Sequence, residues 1–230
     1  GQHDPQLALL PYWLGAAFLY GAPAGWEDVF ARLPFIAMLA LTLAATWYAV
    51  YALARQPAAQ PVAFAFGGVA KAADYARALA DGGLLALLAC LGLARLAHEA
   101  TPALSQLCFA SLIFVGLATL PRWRLRSGVA VALGMLGLTL SGAPSVALWL
   151  GIGGSVLKAL GQSDPAQARL RMLDLGLLAL LCLLCITTAG YLDLWRWRVE
   201  SHTLLDLDVL AKLMLWFTWP PALLRIAARA

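Results

Sequence analysis

Phe35-Ile-Ala-Met-Leu-Ala-Leu-Thr-Leu-Ala-Ala-Thr-Trp-Tyr-Ala-Val-Tyr-Ala-Leu-Ala54 contains no charged residue and stops at Arg55. A helix of about 20 apolar residues matches the hydrocarbon thickness of a bilayer. Within that layer only helices and closed barrels satisfy their backbone groups. The run is rich in Leu and Ala and lacks the in-and-out alternation of a barrel strand, so it reads as a membrane helix. Extended back to Val29, it defines the span 29–54.

The remainder of the chain repeats this pattern. Of its 230 residues, 62% are hydrophobic and 12% charged, where a soluble domain carries about 25% charged residues. With a mean hydropathy of +0.79, too little polar surface is left to cover a globule in water. Further apolar runs occupy 84–97, 103–120, 128–140, 145–160, 173–192 and 207–224. The expectation is an all-α fold, a polytopic transmembrane helical bundle of about six to eight membrane helices. Segment 7–20 is apolar and aromatic but short and interrupted by Pro11, which suits a helix at the membrane interface. Pro61–Ala70 is apolar but too short to cross alone. Residues 1–230 read as a single transmembrane domain. The chain opens on Gly1 with no cleavable signal sequence after it, and the expectation is one piece of a longer polypeptide.

The net charge of +4 does not form a basic face, and a nucleic-acid partner is excluded on that ground. Instead the cations cluster between apolar runs: Arg122, Arg124 and Arg126; Arg169 and Arg171; Arg196 and Arg198; Arg225 and Arg229. Lys and Arg mark the cytoplasmic ends of membrane helices. A cytoplasmic Arg122–Arg126 turn puts Gly142-Ala-Pro144 outside and 161–171 inside. It then puts 193–206 outside and the C-terminus inside, with Arg55 also inside. Arg196 and Arg198 fall on the outer side, accompanied by Asp193, Glu200, Asp206 and Asp208.

Cys90, Cys108, Cys182 and Cys185 all lie in apolar segments, which argues against a secreted disulfide framework. Cys182-Leu-Leu-Cys185 has CxxC spacing, but no helix N-terminus, histidine or base is near to activate a thiol, so packing is the better reading. Gly151-Ile-Gly-Gly154 sits within a span, where small residues permit close helix contact. The histidines His3, His98 and His202 are too far apart in the chain to share a helical turn. No metal-ligand set is assigned; the cofactor stays undetermined, a divalent metal included.

Ionisable residues in or beside membrane spans are the natural functional candidates. Glu27, Asp28 and Arg32 open the first good span, and Glu99 adjoins His98. Asp74, Arg77 and Asp81 are three and four residues apart, so a helix aligns them on one face. Two carboxylates bracketing a guanidinium suit a metal, a phosphate or a positioned acceptor. The same pattern also suits an interfacial helix whose polar side faces water.

The N-terminal part carries a resemblance. Leu10-Pro-Tyr-Trp-Leu14, a short aromatic helix, a glycine-containing turn and then Glu27-Asp-Val-Phe-Ala-Arg-Leu-Pro34 resemble the polyprenyl-phosphate-dependent membrane glycosyltransferases. That superfamily has the GT-C fold and includes bacterial aminoarabinose transferases and protein O-mannosyltransferases. Its members show a PPLYYWL-like run and an ARLP-like signature leading into a long span with an Arg-rich end. Ala31-Arg-Leu-Pro34, the run from Phe35 and Arg55 follow that plan. Tyr75-Ala-Arg-Ala-Leu-Ala-Asp81 is similar to the family's ARxxRxD-like stretch, and Leu136-Gly-Leu-Thr-Leu-Ser-Gly-Ala-Pro144 to its GLAFLTKGP segment. The resemblance covers residues 8–145.

The resemblance implies a GT-C-like enzyme of the bacterial inner membrane. It would move a sugar from a polyprenyl-phosphate carrier to a lipid, glycan or protein acceptor at the outer face. Asp81 would be a catalytic acid, with Arg77, Asp74 and Tyr12 binding substrate and Arg32 structural. Membrane lipid and the polyprenyl-phosphate sugar donor are the implied partners, with a membrane protein as a further one. The family's first-loop acid lies upstream of the PPLYYWL run; only Asp4 is nearby here, and it is not equated with that acid. The carrier-phosphate lysine falls near Leu7, and the lysine of LTKGP is replaced by Leu140 or Ser141. Between Arg55 and Asp81 there is no room for the family's full outbound span, so the charge pattern leaves Asp81 inside while the resemblance puts it outside. The competing readings are a non-catalytic scaffold or lipid-binding subunit derived from that family, and a transporter supported only by helices interrupted by Gly and Pro.

Overall fold

The computed structural model describes residues 8–61, 70–89, 102–120, 123–160 and 168–195. The expected span 207–224, and His3, Asp4, Cys90, His98, Glu99 and His202, lie outside the described residues. The described chain forms seven α-helices: α1 (Leu9–Tyr20), α2 (Glu27–Ala54), α3 (Ala72–Leu88), α4 (Pro102–Thr119), α5 (Arg124–Leu140), α6 (Pro144–Leu160) and α7 (Ala168–Tyr191). One 3-10 turn, Pro57–Ala59, follows α2, and the described residues contain no strand. Three of the helices, α2, α4 and α7, are long and apolar enough to cross a membrane. α1 and α6 are apolar but shorter.

The helix ends follow from local chemistry. Pro11 does not interrupt α1, because it sits in the first turn, where its missing N–H has no helical partner to lose. Glu27 and Asp28 occupy the first turn of α2, where negative charge complements the helix dipole. α3 begins at Ala72, well ahead of the apolar run that starts at Leu84, because Asp74, Arg77 and Asp81 are tolerated on an outward face. α5 ends in a Schellman turn: Ala143 N donates to the Leu138 carbonyl and Gly142 N to that of Thr139. Gly142 takes φ 78°, which a side chain rarely adopts, and Pro144 then starts α6. α7 closes the same way, with Leu194 N on Ala189 O and Asp193 at φ 51°.

Packing inverts the pattern of a water-soluble bundle. The buried stripe of α2 is Phe35, Met38, Thr42, Ala45 and Ala49, while Ile36, Leu41, Tyr48 and Leu53 face outward. Similarly α7 buries Leu178, Leu181, Cys185 and Ala189 and exposes Leu180, Leu183, Leu184 and Ile186. Large apolar side chains on the outside, with small residues admitted among the larger ones inside, are expected where lipid is the solvent and helices gain by close approach. Hydroxyls are absorbed by their own helices: Thr42 donates to Met38 O at 2.7 Å, Ser111 to Leu107 O at 2.6 Å and Thr139 to Met135 O at 2.8 Å.

α5 is the hub. It packs against α1, α4, α6 and α7, and eight of its 17 residues are buried. The main core joins Ile113 of α4, Val131, Met135 and Leu138 of α5, Ala147 of α6 and Leu178, Leu181 and Cys185 of α7. A second cluster sets Phe35 and Met38 of α2 on Leu104 and Cys108 of α4. Close approach of α4 and α5 depends on glycine. A Cβ on Gly116 would lie 2.6 Å from Val131 Cγ2, one on Gly134 2.8 Å from the Phe109 carbonyl, and one on Gly137 2.3 Å from Phe109 Cδ1 and Cε1. Gly151 likewise admits Met135 and Cys182, and Gly154 admits Leu117.

Gly137→Leu is therefore expected to destabilise the bundle by about 1–3 kcal/mol, the range for overpacking a filled interior. Gly153, whose added Cβ meets nothing within 4 Å, is the control: Gly153→Ala should be neutral or stabilising by up to about 1 kcal/mol. Thermal unfolding of both variants in a neutral detergent separates these outcomes.

Candidate functional site

Two polar groups stand out against this apolar framework. The first lies where α5 begins, α6 ends and α7 begins. Asp174, the lone acid of α7, is buried, with 9% of its side chain exposed. It accepts from Arg124 at 3.1 Å and pairs with Lys158, the lone charged residue of α6. Arg124 also donates to the Leu170 carbonyl at 2.6 Å, and Arg171 to the Ala159 carbonyl at 2.5 Å. Three helices are thus tied by one carboxylate. At the other end, Gln106 of α4 donates to the Ser141 carbonyl at 2.8 Å, holding α4 to the α5–α6 turn.

The second group is on α2 and α3. Arg77 pairs with Asp74 at 3.1 Å, both more than 60% exposed. Asp81 does not complete a bracket around the guanidinium: its Oδ1 accepts from Trp47 Nε1 of α2 at 2.7 Å. Trp47 in turn stacks on Tyr51 with ring centroids 5.2 Å apart, and the Arg55 guanidinium lies 5.8 Å from the centre of the Tyr51 ring. Spacing of i, i+4 and i+8 puts Trp47, Tyr51 and Arg55 in one row along α2. Asp81 therefore joins the upper end of an aromatic row that ends at a cation. Trp47 is seven residues before the last residue of α2, about 10 Å along the axis, so Asp81 of α3 sits beside the half of α2 that terminates at Arg55.

The four residues singled out from sequence are thus placed differently. Asp74, Arg77 and Asp81 share α3. Tyr12 is exposed on α1, which packs on α2 and α5, and is not gathered to the α3 group. Sequence reading missed Asp174, Lys158 and Trp47. Lys158 carried a usable signal as the lone charge of an otherwise apolar helix, whereas Asp174 shares the start of α7 with Arg169 and Arg171 and reads as part of a polar helix end. Trp47 carried none, because its role depends on which residue of α3 packs against it. Among the described residues no cluster of His, Cys, Asp and Glu gathers as a metal-ligand set.

Comparison with known proteins adds no relative: no family model, no curated protein and no solved structure matches the chain. What the fold defines is an all-helical protein with three helices fit to cross a membrane.

Removing the carboxylate at position 174 leaves Arg124 and Lys158 facing each other without a counter-charge. Asp174→Asn is expected to cost about 1–3 kcal/mol, below the full value for a buried pair because Arg124 is partly exposed. Lys158→Met added to that variant should restore part of the loss, since the two sites are directly coupled. Unfolding of the wild type, both single variants and the double variant in detergent gives the coupling energy that decides this.

Proposed function

We propose that this chain is a GT-C-like, multi-pass protein of the bacterial inner membrane that transfers a sugar from a polyprenyl-phosphate carrier to a lipid, glycan or protein acceptor at the outer face. The observation that supports this reading is the setting of Asp81. Its carboxylate is exposed, yet held in one orientation by the Trp47 indole, on the same helix as the exposed Arg77–Asp74 pair. A general base needs a fixed carboxylate that a substrate can reach. A leaving phosphate needs a cation whose own position is fixed, and Asp74 steadies Arg77.

In this reaction the acceptor oxygen attacks the anomeric carbon of the carrier-bound sugar and its proton passes to Asp81. The bond between that carbon and the phosphate oxygen breaks, and the phosphate leaves with the electron pair, facing Arg77. Tyr12 would contact the carrier from α1. The resident cofactor is left open.

A non-catalytic scaffold or lipid-binding subunit is the second reading, and one observation favours it. Asp81, on α3, is bonded to the half of α2 that ends at Arg55, and arginines at helix ends mark the cytoplasmic face. The acceptor chemistry of the first reading belongs to the opposite face.

Sidedness separates the two. With Cys90, Cys108, Cys182 and Cys185 replaced, Asp81→Cys is treated with a membrane-impermeant thiol reagent on intact spheroplasts. The transferase reading expects labelling from outside, and Asp81→Asn should then lower sugar transfer by at least about 100-fold without changing the melting temperature. Labelling only after lysis removes Asp81 from the reaction and leaves the scaffold.

A further inference from the structure

Among the described residues, the end of the bundle that carries Asp174 holds more cations than its carboxylate neutralises. Arg124 and Lys158 both pair with Asp174. Arg171 adds a third cation, with one of its guanidinium hydrogens on the Ala159 carbonyl and its Nε buried without a partner. Arg169, exposed in the first turn of α7, and Arg126, lying 5.2 Å from the centre of the Trp123 ring, add two more. Neither α5 nor α7 has an acid in its first turn, and the α5 N-cap, Trp123, makes no side-chain cap. The partial positive charge of both helix N-termini therefore adds to the side chains instead of being offset by them.

Directly beside these cations the surface is apolar. Leu125 is 82% exposed, Leu160 77% and Met172 70%. Trp123, also outward-facing, is the residue type that sits at the level of lipid headgroups. A cationic rim bordering an apolar wall has the charge and shape of one ligand class: a phosphate-bearing headgroup continuous with acyl chains. Basic pockets between membrane helices take anionic lipid headgroups for this reason.

We infer that the junction of α5, α6 and α7 is a binding site for an anionic phospholipid. The headgroup phosphate is held by Arg126 and Arg171, beside the Arg124–Asp174–Lys158 network, and the acyl chains lie on Leu125, Leu160 and Met172. Asp174 keeps Arg124 and Lys158 in place, and Arg126 and Arg171 remain for the ligand. The inference rests on the membrane character of the helices and is independent of the glycosyltransferase reading.

The full chain, purified in a neutral detergent, tests it. Lipid retention is read by native mass spectrometry and stability by thermal unfolding. Phosphatidylglycerol, phosphatidylcholine and inorganic phosphate are added in separate samples at equal concentration. Phosphatidylglycerol should be retained and should raise the melting temperature, whereas the other two should not. Arg126→Gln and Arg171→Gln should each weaken phosphatidylglycerol retention about fivefold, the factor given by about 1 kcal/mol per basic residue near an anionic headgroup. Arg126 is exposed and, among the described residues, its one side-chain contact is with Trp123, so Arg126→Gln keeps the test intact if Arg171→Gln does not fold. Equal retention of the two lipids, or Arg126→Gln retaining phosphatidylglycerol as the wild type does, overturns the site. Inorganic phosphate reproducing the stabilisation would make it a soluble-anion site and overturn the lipid assignment.

Discussion

Backbone meets backbone where α4 crosses α5, and the arrangement of the other helices depends on that contact. Gly116, Gly134 and Gly137 bring no side chain of their own to the crossing, so Val131, Ile113 and Phe109 fill space that a Cβ would claim. With α5 pressed into this position, Val131, Met135 and Leu138 reach the inner faces of α6 and α7. The same placement brings Arg124, at the head of α5, to Asp174. In lipid the apolar effect does not draw helices together, so dispersion at close range has to do so. Glycine at the crossing is what makes that range accessible.

Polar groups then decide how the remaining helices are joined. Most hydroxyls bond within their own helix and add nothing between helices. Among the described residues the links that do cross are few: Arg124 and Lys158 to Asp174, Arg124 to the Leu170 carbonyl, Arg171 to the Ala159 carbonyl, Gln106 to Ser141, Trp47 to Asp81 and Thr119 to Ser127. They lie at helix ends or on an exposed edge, where water or headgroups reduce the burden of a charge. This division separates the two candidate sites in character. The Asp174 network is enclosed and structural, with a surplus of positive charge at its rim. The Asp81 edge is open, and its carboxylate is oriented by an aromatic donor.

The helical character was legible because it follows from composition alone: long charge-free runs rich in Leu and Ala have no other way to satisfy their backbones in a bilayer. The turn at Ser141–Ala143 was legible for a local reason, the Gly-Ala-Pro sequence that ends one helix and starts the next. Asp74 and Arg77 pair as helical spacing expects. What spacing could not reveal is the partner of Asp81, since that depends on how α3 lies across α2. Asp174 was passed over for a related reason. It reads as the edge of a span until three helices converge on it. Composition fixes which residues cannot face lipid, whereas pairing is a property of the assembled helices.

Pro34 deserves a mechanical reading. It lies inside α2 and is buried, and with no N–H it cannot donate to the carbonyl one turn earlier, at Phe30. The helix is continuous there but less stiff, since one rung of its ladder is missing. On one side of this joint lies the short acidic head of α2, attached to α1 through the turn at Gly25. On the other lies the long shaft that packs on α4 through Phe35 and Met38. The missing rung therefore falls at the boundary between the head of α2, which carries its charges, and the shaft, which carries its packing.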